Sequence, residues 1–87
     1  MLYSKTFKNR RFEQIVVMRR QDKDGGPEVR LYFKPDGMGV CEFGIGFRDD
    51  TPGDAAERLD KAFNSIDGQE AVILIDSYMK SMQARAN

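Results

Sequence analysis

The chain has no histidine. That removes the usual general base and the commonest metal ligand. It has one cysteine, Cys41, so no disulfide can form within it. Without a disulfide framework the default expectation is a reducing, cytoplasmic location. Long apolar runs are also missing. The longest is AVILI, residues 71–75, far short of the roughly 20 residues that span a bilayer as a helix. The opening stretch MLYSKTFKNRR holds no apolar run of the signal-peptide kind. Net charge is absent too, with 14 Lys/Arg against 14 Asp/Glu. These absences argue against a disulfide-stapled secreted scaffold, a helical membrane protein and histidine-based chemistry. The expectation is a binding protein that is not an enzyme and carries no cofactor or metal.

What is present suits one soluble domain. The 87 residues are 40% hydrophobic and 32% charged, enough for a single modest core over residues 1–87. The zero net charge hides an asymmetry. Residues 1–48 hold ten Lys/Arg and six Asp/Glu, whereas residues 49–87 hold four and eight. One reading is a basic surface for a polyanion, and the other is ordinary solvation of strands and helices.

The first half alternates with period two. FEQIVVMRR (12–20) is rich in β-branched residues and reads as a strand. QDKDGGP (21–27) is a dense turn signal. EVRLYFK (28–34) places Val29, Leu31 and Phe33 on one face and Arg30, Tyr32 and Lys34 on the other. PDG (35–37) makes the next turn, and VCEFGIGFR (40–48) is the third strand. LYSKTF (2–7) adds a fourth through a turn at KNRR.

At residue 51 the period lengthens to about 3.6. Thr51-Pro52-Gly53-Asp54 opens a helix over 51–66, with Ala55, Leu59, Ala62, Phe63 and Ile66 on one stripe. Asp67-Gly68-Gln69-Glu70 offers a second cap. The apolar stripe that follows, continuing to Met82, favours a second helix over a short strand at AVILI. The expected fold is therefore α+β in two layers. An antiparallel meander of three or four strands is packed by one helix, with a second helix C-terminal. Val29, Leu31, Phe33, Cys41, Phe43, Ile45 and Phe47 form the inner face, which buries the Cys41 thiol.

No catalytic or metal motif survives inspection. The glycines of GIGFRD lie inside a strand and lack the third glycine of a dinucleotide loop. DKDGG (22–26) lacks the later ligands of a calcium loop. Asp49, Asp50 and Asp54 suit the positive end of a helix. The serines have no histidine to activate them.

The outer sheet face is then the most informative feature. It carries Arg30, Tyr32, Lys34, Glu42, Gly44, Gly46 and Arg48. Glycine weakens a strand interior, so two in alternation need a reason. The strand bends there, Tyr32 shields the gap, or another group approaches closely: a partner strand, a side chain or a nucleobase. Cations around a tyrosine on a sheet suit single-stranded nucleic acid, by phosphate contact and base stacking. Arg10, Arg11, Arg19 and Arg20 would lengthen that track.

The layout resembles the positive-cofactor-four (Whirly-related) family of transcriptional coactivators. The likeness lies in GIGF (44–47), Pro52, Leu59 and AFNSID (62–67), which are similar to that family's strand end, helix-opening proline and helical leucine. It implies a dimeric protein with a curved four-stranded meander followed by a helix. It also implies single-stranded DNA as ligand and a role in transcription regulation. The second apolar stripe and the acidic segment 21–28 depart from the family pattern. Two functions follow. The sheet face binds single-stranded DNA or RNA, or the protein inhibits or bridges another protein, like small accessory proteins of phages and mobile elements. Tyr78, Met79 and Met82 extend the last stripe beyond a small core, which points to a homodimer.

Overall fold

The computed structural model describes residues 3–21, 26–45 and 54–86. Four strands, β1 (Tyr3–Asn9), β2 (Glu13–Gln21), β3 (Pro27–Phe33) and β4 (Cys41–Ile45), precede helices α1 (Asp54–Ser65) and α2 (Gly68–Ala86). The strands form one antiparallel sheet in the order β1-β2-β3-β4. This is the expected two-layer α+β meander, including the strand at the N-terminal end. The expected helix start at Thr51–Gly53, the acidic pair Asp49 and Asp50, and Gly46, Phe47 and Arg48 lie outside the described residues.

Local chemistry explains the turns. In the β1–β2 hairpin the Asn9 side chain accepts a hydrogen bond from the Arg11 amide at 2.8 Å. This side-chain turn is one that asparagine favours. Glu13 then enters β2 with φ of 55°. Between β3 and β4 the Met38 amide donates to the Pro35 carbonyl at 3.1 Å. Gly37 is the third residue of that turn and has φ of 76°, a conformation that costs other residues about 1–2 kcal/mol. Asp67 caps α2, its carboxylate accepting the Glu70 amide at 2.8 Å.

The core forms where the period-two faces of the central strands meet the helices. Ile15, Val17, Val29 and Leu31 have no exposed surface, and Phe12 and Phe33 are also buried. Val17 pairs directly with Leu31, and Leu31 with Phe43. Leu59 of α1, Ile66 between the helices, and Ala71 and Ile75 of α2 close over them. Both helices therefore share the core, where the spacing assigned the cover to the first alone. The reason is width: the inner face spans four strands about 4.8 Å apart, more than one helix of about 10 Å diameter covers.

Three expectations need correction. Cys41 is only partly buried. It is in phase with the core, but it begins an outermost strand near the sheet end. Val40 is 72% exposed and precedes the strand instead of opening it. Arg19 is not on the outer face. It is in phase with Ile15 and Val17, which puts it inside at 8% exposure. There its Nε donates to Asp60 of α1 at 2.8 Å and its Nη1 to the Arg20 carbonyl at 2.9 Å.

Three polar contacts tie the layers. Arg19–Asp60 binds α1 to the middle of the sheet. Lys5, facing inward from β1, donates to the Phe63 carbonyl in the last turn of α1 and lies 4.6 Å from the Phe63 ring centroid. That is a favourable place for a cation, although desolvation pushes the Lys5 ammonium below its usual value. Arg11 makes a bidentate pair with Asp76 of α2, at 2.9 and 3.1 Å. The Arg11 hydrogen bonds hold the Asp76 carboxyl below the usual carboxylate range.

Leu59→Ala should cost about 2–5 kcal/mol in denaturant unfolding, because the site is enclosed by two layers. The folded state lowers the Asp76 pKa, so that contribution is complete above the unfolded value of about 3.9 and vanishes as pH falls through the folded value. Measured from neutral pH down to about 3, stability should therefore fall less steeply in Asp76→Asn than in the natural chain.

Candidate functional site

The outer face of the sheet is open, since both helices pack on the inner one. Register builds it in rungs. Thr6, Val16, Tyr32 and Glu42 form one rung, and Ser4, Met18, Arg30 and Gly44 the next. Arg20 opposite Glu28 and Lys8 opposite Gln14 extend it at either end. The side chains are small at Ser4 and Thr6, apolar and half-buried at Val16, Met18 and Tyr32, and charged toward β3 and β4.

Glycine at position 44 now has a physical account. A Cβ built on Gly44 would lie 3.1 Å from Nη1 of Arg30. The close approach inferred for this bare strand is therefore made within the chain. Arg30, not Tyr32, crosses from β3 and lies over the Gly44 backbone.

That guanidinium belongs to a ladder of alternating charge. Arg20 Nε donates to Glu28 at 2.7 Å. Glu28 lies 3.5 Å from Arg30 Nη1, and Glu42 lies 3.6 Å from Arg30 Nη2. The first contact is short and the other two are long, so Arg30 is held weakly. Its Nε is buried with no hydrogen-bond partner.

The ladder changes the expected cationic track. Arg11 and Arg19 leave it for Asp76 and Asp60 on the helices. In the hairpin, Arg11 lies against α2 and over the Phe12 ring, 4.8 Å from its centroid. Arg20 is neutralised by Glu28. Exposed Arg10 sits in the β1–β2 turn, while Lys8 and Lys34 are exposed on the open side. Tyr32, Arg30, Lys34 and Gly44 are brought together as expected.

Two features were missed by sequence reasoning. Beside Tyr32 a recess of about 170 Å³ is lined by Val16, Tyr32, Lys34, Val40, Gln14 and Glu13. A second, more apolar groove of about 290 Å³ lies on the other side of the sheet end. Phe33, Pro35, Met38 and Cys41 form one wall, and Tyr78, Met79, Met82 and Gln83 of α2 form the other. Of the residues expected at a dimer contact, Tyr78 and Met79 are half-buried against the core, and Tyr78 stacks on Phe43 at 4.5 Å between centroids. Met82 remains exposed. The phase of Val16 with Tyr32 was visible in the alternation. The turn at Pro35–Gly37 was readable, but nothing local showed that the loop brings Met38 and Val40 to these two recesses.

Among the described residues no helix is long and apolar enough to cross a membrane, and no cluster of three or more Cys, Asp or Glu could hold a metal ion. Compared with protein-family models, curated proteins and solved structures, the chain matches none.

The Arg30–Gly44 contact is measurable. Gly44→Val should push Arg30 off the strand, while the same change beside Arg30→Ala meets no obstruction and gains from strand propensity. A double-mutant cycle in denaturant should give a coupling of about 0.5 kcal/mol or more between the two positions. Additive effects would mean that Arg30 does not cover Gly44 in solution.

Proposed function

We propose that this protein is a small non-enzymatic binding module that docks another protein on the open face of its sheet. One observation carries this reading. Half-buried Val16, Met18 and Tyr32 form an apolar centre with a side-chain-sized recess, and most arginines around it are already paired with carboxylates. An apolar centre with a charged rim is how protein interfaces are built. The centre is also where the energy lies. A buried aromatic anchor contributes about 2 kcal/mol or more, against about 0–1 for an exposed ion pair. The partner suited to this face offers an apolar side chain to the recess and a carboxylate to Arg30, whose two ion pairs are long. An inhibitor or adaptor of the phage accessory type would work in this way. The lack of histidine supports a role without catalysis.

A second reading rests on Arg30 and Tyr32. A weakly held guanidinium beside an aromatic ring suits a phosphate and a stacked base. The resemblance to the positive-cofactor-four family supports single-stranded DNA in that place. Against it stands the number of free cations among the described residues. With Arg10, Lys8 and Lys34 meeting three phosphates, the affinity would fall with salt at a logarithmic slope of only about −2.

Affinity capture from the native host, with and without nuclease, separates the two. The expected result is a protein retained after nuclease treatment and weakened roughly 30-fold or more by Tyr32→Ala. The Tyr32→Ala chain should stay folded, since an exposed-face strand substitution costs about 1 kcal/mol or less. Capture that disappears with nuclease, beside direct binding of a single-stranded oligonucleotide at low salt, would replace the first reading by the second.

A further inference from the structure

We propose that the free edge of β4 and the end of α2 that runs past it form a seat for a fifth strand. Its occupant is an extended segment of another protein, with apolar and charged residues in alternation. The inference rests on the reading that the open face docks a protein, and it names how that partner is held.

Helix α2 is longer than the sheet is wide. It starts against β1, where a Cβ on Gly68 would lie 3.5 Å from the Phe7 ring. It reaches β4 at Tyr78, whose ring stacks on Phe43 at 4.5 Å between centroids. At about 1.5 Å per residue that crossing is about 15 Å, and three strand spacings of about 4.8 Å come to about 14 Å. The helix nevertheless continues to Ala86, about 12 Å further, and Ser81 through Ala84 are all exposed. Its last turns therefore project past the sheet by more than the width of one strand. Met79 and Met82 line the groove there, beside Cys41 at the start of β4, and Met82 is 47% exposed. Among the described residues β4 pairs on one side only, with β3. Its other side offers backbone amides and carbonyls next to an apolar shelf.

Such a seat selects an extended chain over a helix or a small ligand, since a strand both pairs with the edge and lays side chains on the shelf. Register then sets the side chains. In an antiparallel fifth strand, residues opposite Cys41, Phe43 and Ile45 point inward, toward the shelf, and so are apolar. Those opposite Glu42 and Gly44 join the open face. Glu42 is half exposed and its ion pair with Arg30 is long, at 3.6 Å, so a cation suits the place beside it. The Arg30 guanidinium lies over Gly44, so a carboxylate suits the other outward place. That is the carboxylate which the open-face reading already assigns to Arg30, and the seat is continuous with that face. Methionine suits the shelf, because its unbranched side chain adapts to the residue laid on it.

A synthetic peptide, Val-Glu-Val-Lys-Val with blocked ends, tests the proposal by titration and amide exchange. At saturation the outward amides of β4 should exchange at least tenfold more slowly, and those of β1 at the other edge should not change. The order Val-Lys-Val-Glu-Val should bind at least threefold more weakly. Met82→Glu should weaken binding at least tenfold, whereas Ile73→Glu, exposed on α2 away from the groove, should leave it unchanged. Both residues lie at the surface, so folding should persist. In capture from the native host, Met82→Glu should weaken retention as Tyr32→Ala does. A peptide that leaves the β4 amides unprotected, or that binds the Met82→Glu chain equally well, would overturn the proposal. Capture that depends on Tyr32 but not on Met82 would also overturn it and leave the open-face reading standing. Capture indifferent to both would overturn both. Protection of β4 that rises with protein concentration alone would give the seat to a second copy, which overturns the proposal as well.

Discussion

Four side chains without exposed surface, Ile15, Val17, Val29 and Leu31, set the constraint on which the rest of this structure depends. They come from the two central strands, so they can be dehydrated only by a layer laid across the whole sheet. Each full burial contributes about 1.5–3 kcal/mol, more than the charged contacts around them. Leu59, Ala71 and Ile75 occupy the positions they do because those four must be covered. Arg19–Asp60, Lys5–Phe63 and Arg11–Asp76 then fix where each helix lies.

The same constraint divides the charges. Two arginines that look like surface groups in the chain are committed to seating the helices, with Asp60 and Asp76 as their partners. The opposite charges of the two halves of the chain are partly explained by this: the basic strands and the acidic helices neutralise one another across the layer boundary. Among the described residues, what remains on the open face is a smaller set of cations, interleaved with Glu28 and Glu42.

Legibility followed the range of each interaction. Strand alternation, the Pro35–Gly37 turn and the Asp67 cap depend on neighbours a few residues away, and all were readable. The side of the sheet that Arg19 takes was also readable, because it continues the phase of Ile15 and Val17. The doublet Arg19-Arg20 drew attention to its charge instead. The partner of Arg11 lies 65 residues away in the chain, and no local pattern announces it. Gly44 was legible as a place of close approach, but its occupant was not. Arg30 reaches it through strand pairing, which depends on register and not on composition. The two recesses depend on how the loop before β4 leaves the sheet, and that is decided by packing at the sheet end.

The inward lysine of β1 bears on how this molecule behaves at high concentration. β1 is an outermost strand with no proline, a form that invites another strand to add to its free edge. Lys5 sits in the middle of that strand and points toward the helices, its ammonium held at the end of α1. A strand adding to the edge in register would bring its own inward side chains beside this charge and the end of the helix. A flat apolar stack could not continue past that point. Lys5, the least hydrophobic member of the inner face of β1, thus disfavours strand addition at the β1 edge.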